Sequence, residues 1–193
     1  MNSLNSKILK KEIYKIVEDR IDYFMVFQDI AKCKKNIYKQ LEQYKTEKWL
    51  QAEIIYFLQK KYSNKYNVIP EYSSKKFDTH NPWDIFIELI ADNPENGIFL
   101  EMKCLVASKQ GGDVDNVIID INKLGATYIN YKNYEKNYLV ILPLISDRYA
   151  QRILSKVDIE IKKYPMSVFR KEIKYNKERG ITFIWINVEG NGR

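Results

Sequence analysis

The chain has 193 residues, with 32 Lys and Arg against 25 Asp and Glu, giving a net charge of +7. That length suits one domain with a core of its own, and the basic balance favours a polyanionic partner without identifying one. Two cysteines, Cys33 and Cys104, build no disulfide framework, no apolar run reaches the roughly 20 residues of a membrane span, and the N-terminus lacks a signal-peptide core. Secreted, disulfide-stapled and membrane-spanning classes are excluded, and a reducing cytoplasm is the expected compartment.

Residues 1 to 69 contain neither Gly nor Pro, which predicts a helical opening third. Ile8, Leu9, Ile13, Ile16, Val17, Ile21 and Phe24 recur at three- and four-residue spacing, the pattern of an amphipathic helix. A second helical stretch passes through Ile30, Ile37 and Leu41 and is made basic by Lys32, Lys34, Lys35 and Lys39. This extension, residues 1–45, could track a phosphate backbone, pair two subunits or cover the core; covering the core is preferred, with dimerisation next. Thr46 is the expected N-cap of a helix reaching about Tyr62, with Leu50, Ile54, Phe57 and Leu58 as its buried stripe. Glu53 lies beside that stripe, on the face of Trp49, Ala52 and Tyr56, as a half-buried carboxylate in need of a partner. Glu47, in the expected first turn, reads as a helix-dipole residue.

A strand follows near Tyr66 to Tyr72, ending in Glu71, read as a surface acid with substrate contact as the alternative. Ser73 to Asn81 is a polar loop carrying Lys75, Lys76 and the only histidine, His80, for which a loop role is preferred because no second His or Cys could complete a soft-metal site. Asn81 to Leu105 then reads as strand, turn, strand: an apolar run from Trp83 to Ile90, turn formers Asp92 to Gly97, and a second apolar run from Ile98. The period of two puts Glu101 and Lys103 on one face with Phe99 and Leu105, and Leu100, Met102 and Cys104 on the other. Asp84 joins the acid and the lysine if the hairpin register sets it against them, and a slip of one residue would turn it away. Glu88 shares the face of Asp84 about one hairpin turn off and reads as a neighbouring acid.

Lys109, Gln110 and two glycines precede a helix that Asp113 or Asp115 could cap, with Val114, Val117, Ile118, Ile121 and Leu124 inward, Asn116, Asp120 and Lys123 on its other side, and Gly125 as its stop. Tyr138 to Leu144 is an unbroken apolar run, expected of a central strand covered on both faces. Ser146 or Asp147 opens a further helix with Ile153, Leu154, Val157 and Ile161 inward and Arg148, Arg152, Lys156, Lys162 and Lys163 outward; Pro165 ends it. A short basic helical piece near Ser167 to Lys177 and a last strand, Ile181 to Val188, close the chain. Of the 15 tyrosines, some could stack on bases, but most are expected at core edges.

Two carboxylates and a lysine gathered at strand ends suit metal-assisted hydrolysis of a phosphodiester, because carboxylate oxygens are hard ligands and a neighbouring ammonium can stabilise charge on the phosphate. Asp84, followed after a hairpin by Glu101-Met102-Lys103, resembles the signature of the PD-(D/E)xK nuclease superfamily, the restriction-endonuclease-like proteins. The order of elements from Thr46 to Leu144, helix, three strands, helix, strand, is similar to that superfamily's αβββαβ core, a mixed central sheet flanked by helices, here spanning a nuclease-like domain at 46–193. The resemblance implies a DNA endonuclease of restriction or defence type that uses Mg²⁺, with Mn²⁺ able to substitute. Asp84, Glu101 and the Met102 carbonyl would bind metal, Glu53 would supply the carboxylate of the first core helix, with Glu47 as the alternative, and Lys103 would position or activate water. DNA is the implied partner, and cutting both strands implies a homodimer or rebinding. Two other readings stand beside this one: a recognition or assembly subunit that keeps the nuclease fold, and a generic α/β domain in which Asp84, Glu101 and Lys103 form a surface salt-bridge cluster.

Overall fold

The computed structural model describes residues 4–33, 37–73, 82–90, 97–105, 112–130, 134–144 and 146–188, with the backbone alone at 31–33, 37–45, 112–113 and 126–130. Lys75, Lys76, His80, Lys109 and Gln110 lie outside the described residues. In chain order the elements are α1 (Ser6–Asp19), α2 (Ile21–Cys33), α3 (Ile37–Tyr62), β1 (Tyr66–Tyr72), β2 (Trp83–Leu89), β3 (Gly97–Cys104), α4 (Gly112–Asn130), β4 (Glu135–Pro143), α5 (Arg148–Glu160), a 3-10 turn (Ile161–Lys163), β5 (Met166–Lys174) and β6 (Gly180–Val188). The strands form one mixed sheet in the order β1-β2-β3-β4-β6-β5. Among the described strands only β3 and β4 run parallel, and α4 makes the crossover a parallel pair needs.

Apolar side chains cover both faces of this sheet. On one face α1, α2 and α3 bury Leu9, Ile13, Phe24, Leu50, Ile54 and Leu58 against Leu100, Met102 and Leu139. On the other, α4 and α5 bury Val117, Ile121, Leu124, Ile153 and Val157 against Phe99, Tyr138 and Val140. β4 therefore has apolar residues on both sides, as a continuous apolar run requires of a central strand. Among the described residues no helix is long and apolar enough to cross a membrane.

Several expectations are corrected. The first amphipathic pattern breaks at Arg20, whose φ of −113° and ψ of 17° leave the helical region, so Ile21 and Phe24 belong to a second helix. α3 begins at Ile37, and Thr46 is a fully buried mid-helix residue and not a cap. With no Gly or Pro before it, nothing stops the helix from extending backward. The expected basic helix at 167–177 is the strand β5, paired with β6 from Met166↔Val188 to Lys174↔Gly180. Its turn is closed by Asn176, whose Oδ1 accepts from the N–H groups of Glu178 and Arg179 at 2.9 and 2.8 Å. That local capture of backbone donors is a turn device that a reading of charge alone passes over. Asp147 caps α5, accepting from Tyr149 N at 2.7 Å.

Gly125 does not stop α4, which continues to Asn130. It is needed because the Tyr164 ring lies on it: a Cβ there would sit 2.5 Å from Tyr164 Cδ1, and the ring is held by its hydroxyl donating to Asn122 Oδ1 at 2.8 Å. Gly125→Ala should therefore destabilise the protein by about 1–3 kcal/mol through overpacking, although Ala is worth about 1 kcal/mol more than Gly in a helix interior. In a Tyr164→Ala background the same substitution should turn neutral or stabilising, and equal costs in both backgrounds by urea unfolding would refute the ring contact.

Candidate active site

The β2–β3 ladder runs from Glu88↔Gly97 to Ile85↔Leu100 and stops. One step further, in register with Glu101, stands Asp84, and its side chain replaces the missing strand contact: Oδ2 accepts from Met102 N at 2.7 Å. The next β3 amide on the same edge, Cys104 N, donates to Glu47 Oε2 at 3.2 Å. In a strand the N–H and C=O of one residue point to the same side, so the Met102 carbonyl faces this gap as well. On its other edge β2 is also released. Glu71, with a left-handed φ of 48°, is the only such non-glycine among the described residues, and the β1–β2 pairing skips it between Pro70↔Ile85 and Tyr72↔Trp83. The Asp84 carbonyl freed there accepts from Gln51 Nε2 at 2.6 Å. Strain of this kind costs on the order of 1 kcal/mol and is offset by the bonds Glu71 receives from Gln51 at 2.9 Å and from Lys48.

Around this gap four carboxyl groups and three ammonium groups converge. Lys103 Nζ lies 3.6 Å from Glu47 Oε1, Lys48 Nζ lies 3.8 Å from Asp84 Oδ1, and Lys123 Nζ donates to Glu101 Oε2 at 2.8 Å and to the Pro82 carbonyl at 3.2 Å. Lys123 also sits 4.5 Å over the Trp83 ring. Asp120 of α4 accepts from the buried Tyr138 hydroxyl at 2.9 Å. Burial pushes Glu101 up to about 8, reinforced by Asp84 and opposed by Lys123. Burial likewise raises Asp84, against the Met102 amide and Lys48, raises Glu47, against Lys103, and raises Asp120. For Lys103 burial works to discharge the ammonium, but Glu47, Asp120, Asp84 and Glu101 together outweigh it and hold the group more basic than usual.

The structure brings Asp84, Glu101, Met102 and Lys103 together and leaves Glu53 out. Glu53 turns toward α1 and pairs with Arg20 at 3.2 Å, on the wall of a groove of about 620 Å³ between α1 and α3. The helix carboxylate at the gap is Glu47, 9% exposed. Helical spacing admits both acids, since Glu47 stands three residues before Leu50 and Glu53 three after it; the structure sets Glu47 at the gap and Glu53 on Arg20. Lys48 and Gln51 went unassigned because their partners depend on the turned backbone of Glu71, which no residue type announces. Glu88 pairs with Gly97 at the far end of the hairpin, away from the gap.

The donors are hard oxygens, the kind that suits Mg²⁺ or Mn²⁺ and not a soft metal. As they stand, no three His, Cys, Asp or Glu side chains among the described residues converge closely enough to hold an ion, since the acids are turned onto backbone amides and lysines. No family model, curated protein or solved structure matches this chain.

The raised Glu101 links the site to stability. An unfolded Glu titrates near ~4.3, so between that value and about 8 the folded chain holds a proton that the unfolded chain has released. The contribution of Glu101 to stability then falls as pH rises through that window. The difference in urea stability between about pH 5 and about pH 8.5 should shrink in Glu101→Gln; an unchanged difference would remove the raised carboxyl from the account.

Proposed function

We propose that this chain is a metal-dependent endonuclease that hydrolyses DNA, built on the restriction-endonuclease-like plan of the PD-(D/E)xK enzymes. The observation that carries the reading is the parting of β2 from β3 at Asp84, which gathers Asp84, Glu101, Glu47 and Lys103 around the open edge of β3. Supporting it, α3, β1, β2, β3, α4 and β4 follow the αβββαβ order, with β3 and β4 parallel across α4.

Asp84, Glu101 and the Met102 carbonyl, with Glu47 in the place expected of Glu53, are the groups that would hold Mg²⁺ or Mn²⁺. Carboxyl groups held above their usual range by burial and mutual repulsion are donors that a cation relieves. A metal bound there would supply a water of lowered pKa and neutralise charge on the phosphate. The rest falls to side chains. Lys103, kept charged by the acids around it, Glu47 foremost and then Asp120 and Asp84, is a hydrogen-bond donor at neutral pH and not a base, so its part is to orient the attacking water or stabilise the phosphorane-like charge. Glu47 steadies Lys103 on one side, while Asp120, fixed by Tyr138, acts on it from another. Cutting both strands calls for two such sites or rebinding, and a homodimer on DNA is the arrangement proposed.

A nucleic-acid-binding subunit with a nuclease-like fold remains the second reading, and one observation favours it: Lys123 on Glu101 and Lys48 beside Asp84 neutralise the acids from within. Plasmid cleavage decides between them. Supercoiled DNA should be nicked or linearised with Mg²⁺ and not with EDTA. Lys103→Ala and Glu47→Gln should each lose on the order of 10²-fold or more, whereas Glu53→Gln should cut at a rate close to the parent. No cleavage by the parent, with salt-sensitive DNA binding intact, would transfer the proposal to the binding subunit.

A further inference from the structure

α5 buries Ala150, Ile153, Leu154 and Val157 against the sheet and α4. Its opposite side exposes Arg148, Gln151, Arg152, Ser155, Lys156 and Ile159, with no carboxylate among them. The acids of α5 are already engaged: Asp158 pairs with Arg170 of β5, and Glu160 is buried against Lys163 at 2.7 Å. Arg148, Arg152 and Lys156 follow one another at four-residue intervals and form no ion pair with the described residues. Like charges at that spacing repel and destabilise a helix. An ordinary solvated helix face relieves this with interleaved Glu or Asp; this one does not.

We propose that the exposed face of α5 is a docking surface for duplex nucleic acid, on which Arg148, Arg152 and Lys156 contact backbone phosphates. From Arg148 to Lys156 the helix rises about 12 Å, a length of duplex axis that carries about seven phosphate charges at one per ~1.7 Å. No aromatic side chain lies on the exposed face, since Tyr149 is half-buried, so the surface contacts phosphates and lacks the stacking platform that single strands use. Its lone apolar residue, Ile159, is too little for a helix lying in a membrane interface, which buries a whole apolar face. The surface belongs to the layer of α4 and α5, the side of the sheet onto which Glu101 and Lys103 project with Phe99 and Leu105. This inference rests on the proposed nucleic-acid substrate but not on its cleavage.

Fluorescence anisotropy of a labelled duplex, in EDTA and at several salt concentrations, tests it. Replacing Arg148, Arg152 and Lys156 together by Gln should lower the slope of log affinity against log salt by about 2.7, from three contacts at ~0.9 each. A charge-matched variant with Lys65, Lys174 and Lys177 changed to Gln should keep the parent slope. Equal losses in both variants, an unchanged slope in the α5 variant, or binding to phosphatidylserine vesicles in place of duplex would each overturn the proposal. Loss of the slope in a protein that never cleaves plasmid would retain the docking surface and discard the nuclease; cleavage with an unchanged slope would do the reverse.

Discussion

The candidate site depends on one substitution of a side chain for a strand. Past Ile85↔Leu100 the β2–β3 ladder has no further backbone pair, and the Met102 N–H is satisfied by the Asp84 carboxylate. A buried N–H left without a partner costs about 1–3 kcal/mol, so the carboxylate is held in place by the same accounting that holds a sheet together. Glu47 does this again one residue pair along, at Cys104. The acids at this gap are therefore structural acceptors and candidate ligands at once.

The same gap explains the crowding of lysines. Four carboxyls packed where water is scarce cannot all ionise unaided, and the protein answers with Lys48, Lys103 and Lys123 and with a raised Glu101. These cations are not equivalent. Lys103 is held between acids contributed by α3 and α4, while Lys123 is bonded to Glu101 and rests on the Trp83 ring. Buried pairs of this kind add little to net stability, because desolvation cancels most of the attraction. Their arrangement is better explained by the charge balance a site needs than by the fold it sits in.

How much of this was legible in the sequence follows from what each residue's position depends on. Glu101 and Lys103 were readable because a strand's period of two needs no tertiary information, and Asp84 followed once the hairpin register was supposed. Glu47 was within reach, since the apolar stripe of α3 extended back by one turn passes through it. Placing the helix start at Thr46 set it second to Glu53, because a first-turn acid has a ready explanation in the helix dipole. The strand β5 was misread because Arg170, Lys171 and Lys174 suggested a basic helix, whereas its state is set by pairing with β6 and by the Asn176 turn. Gly125 looked like a stop because the ring that needs it, Tyr164, is 39 residues away in sequence.

Glu71 marks the limit of what a residue type announces, because its role comes from its backbone. A non-glycine residue at positive φ holds only where its surroundings over-determine it, and here Lys48 and Gln51 do so through its carboxylate. The same Gln51 then takes the Asp84 carbonyl that the turned backbone has set free. Glu71, Gln51 and Asp84 thus form a closed circuit in which the strain on β1, the cap on β2 and the orientation of the site carboxylate are one arrangement. An acid at a strand end, unremarkable as a residue type, keeps β2 unpaired on its outer edge at the very residue where it leaves β3 on its inner one.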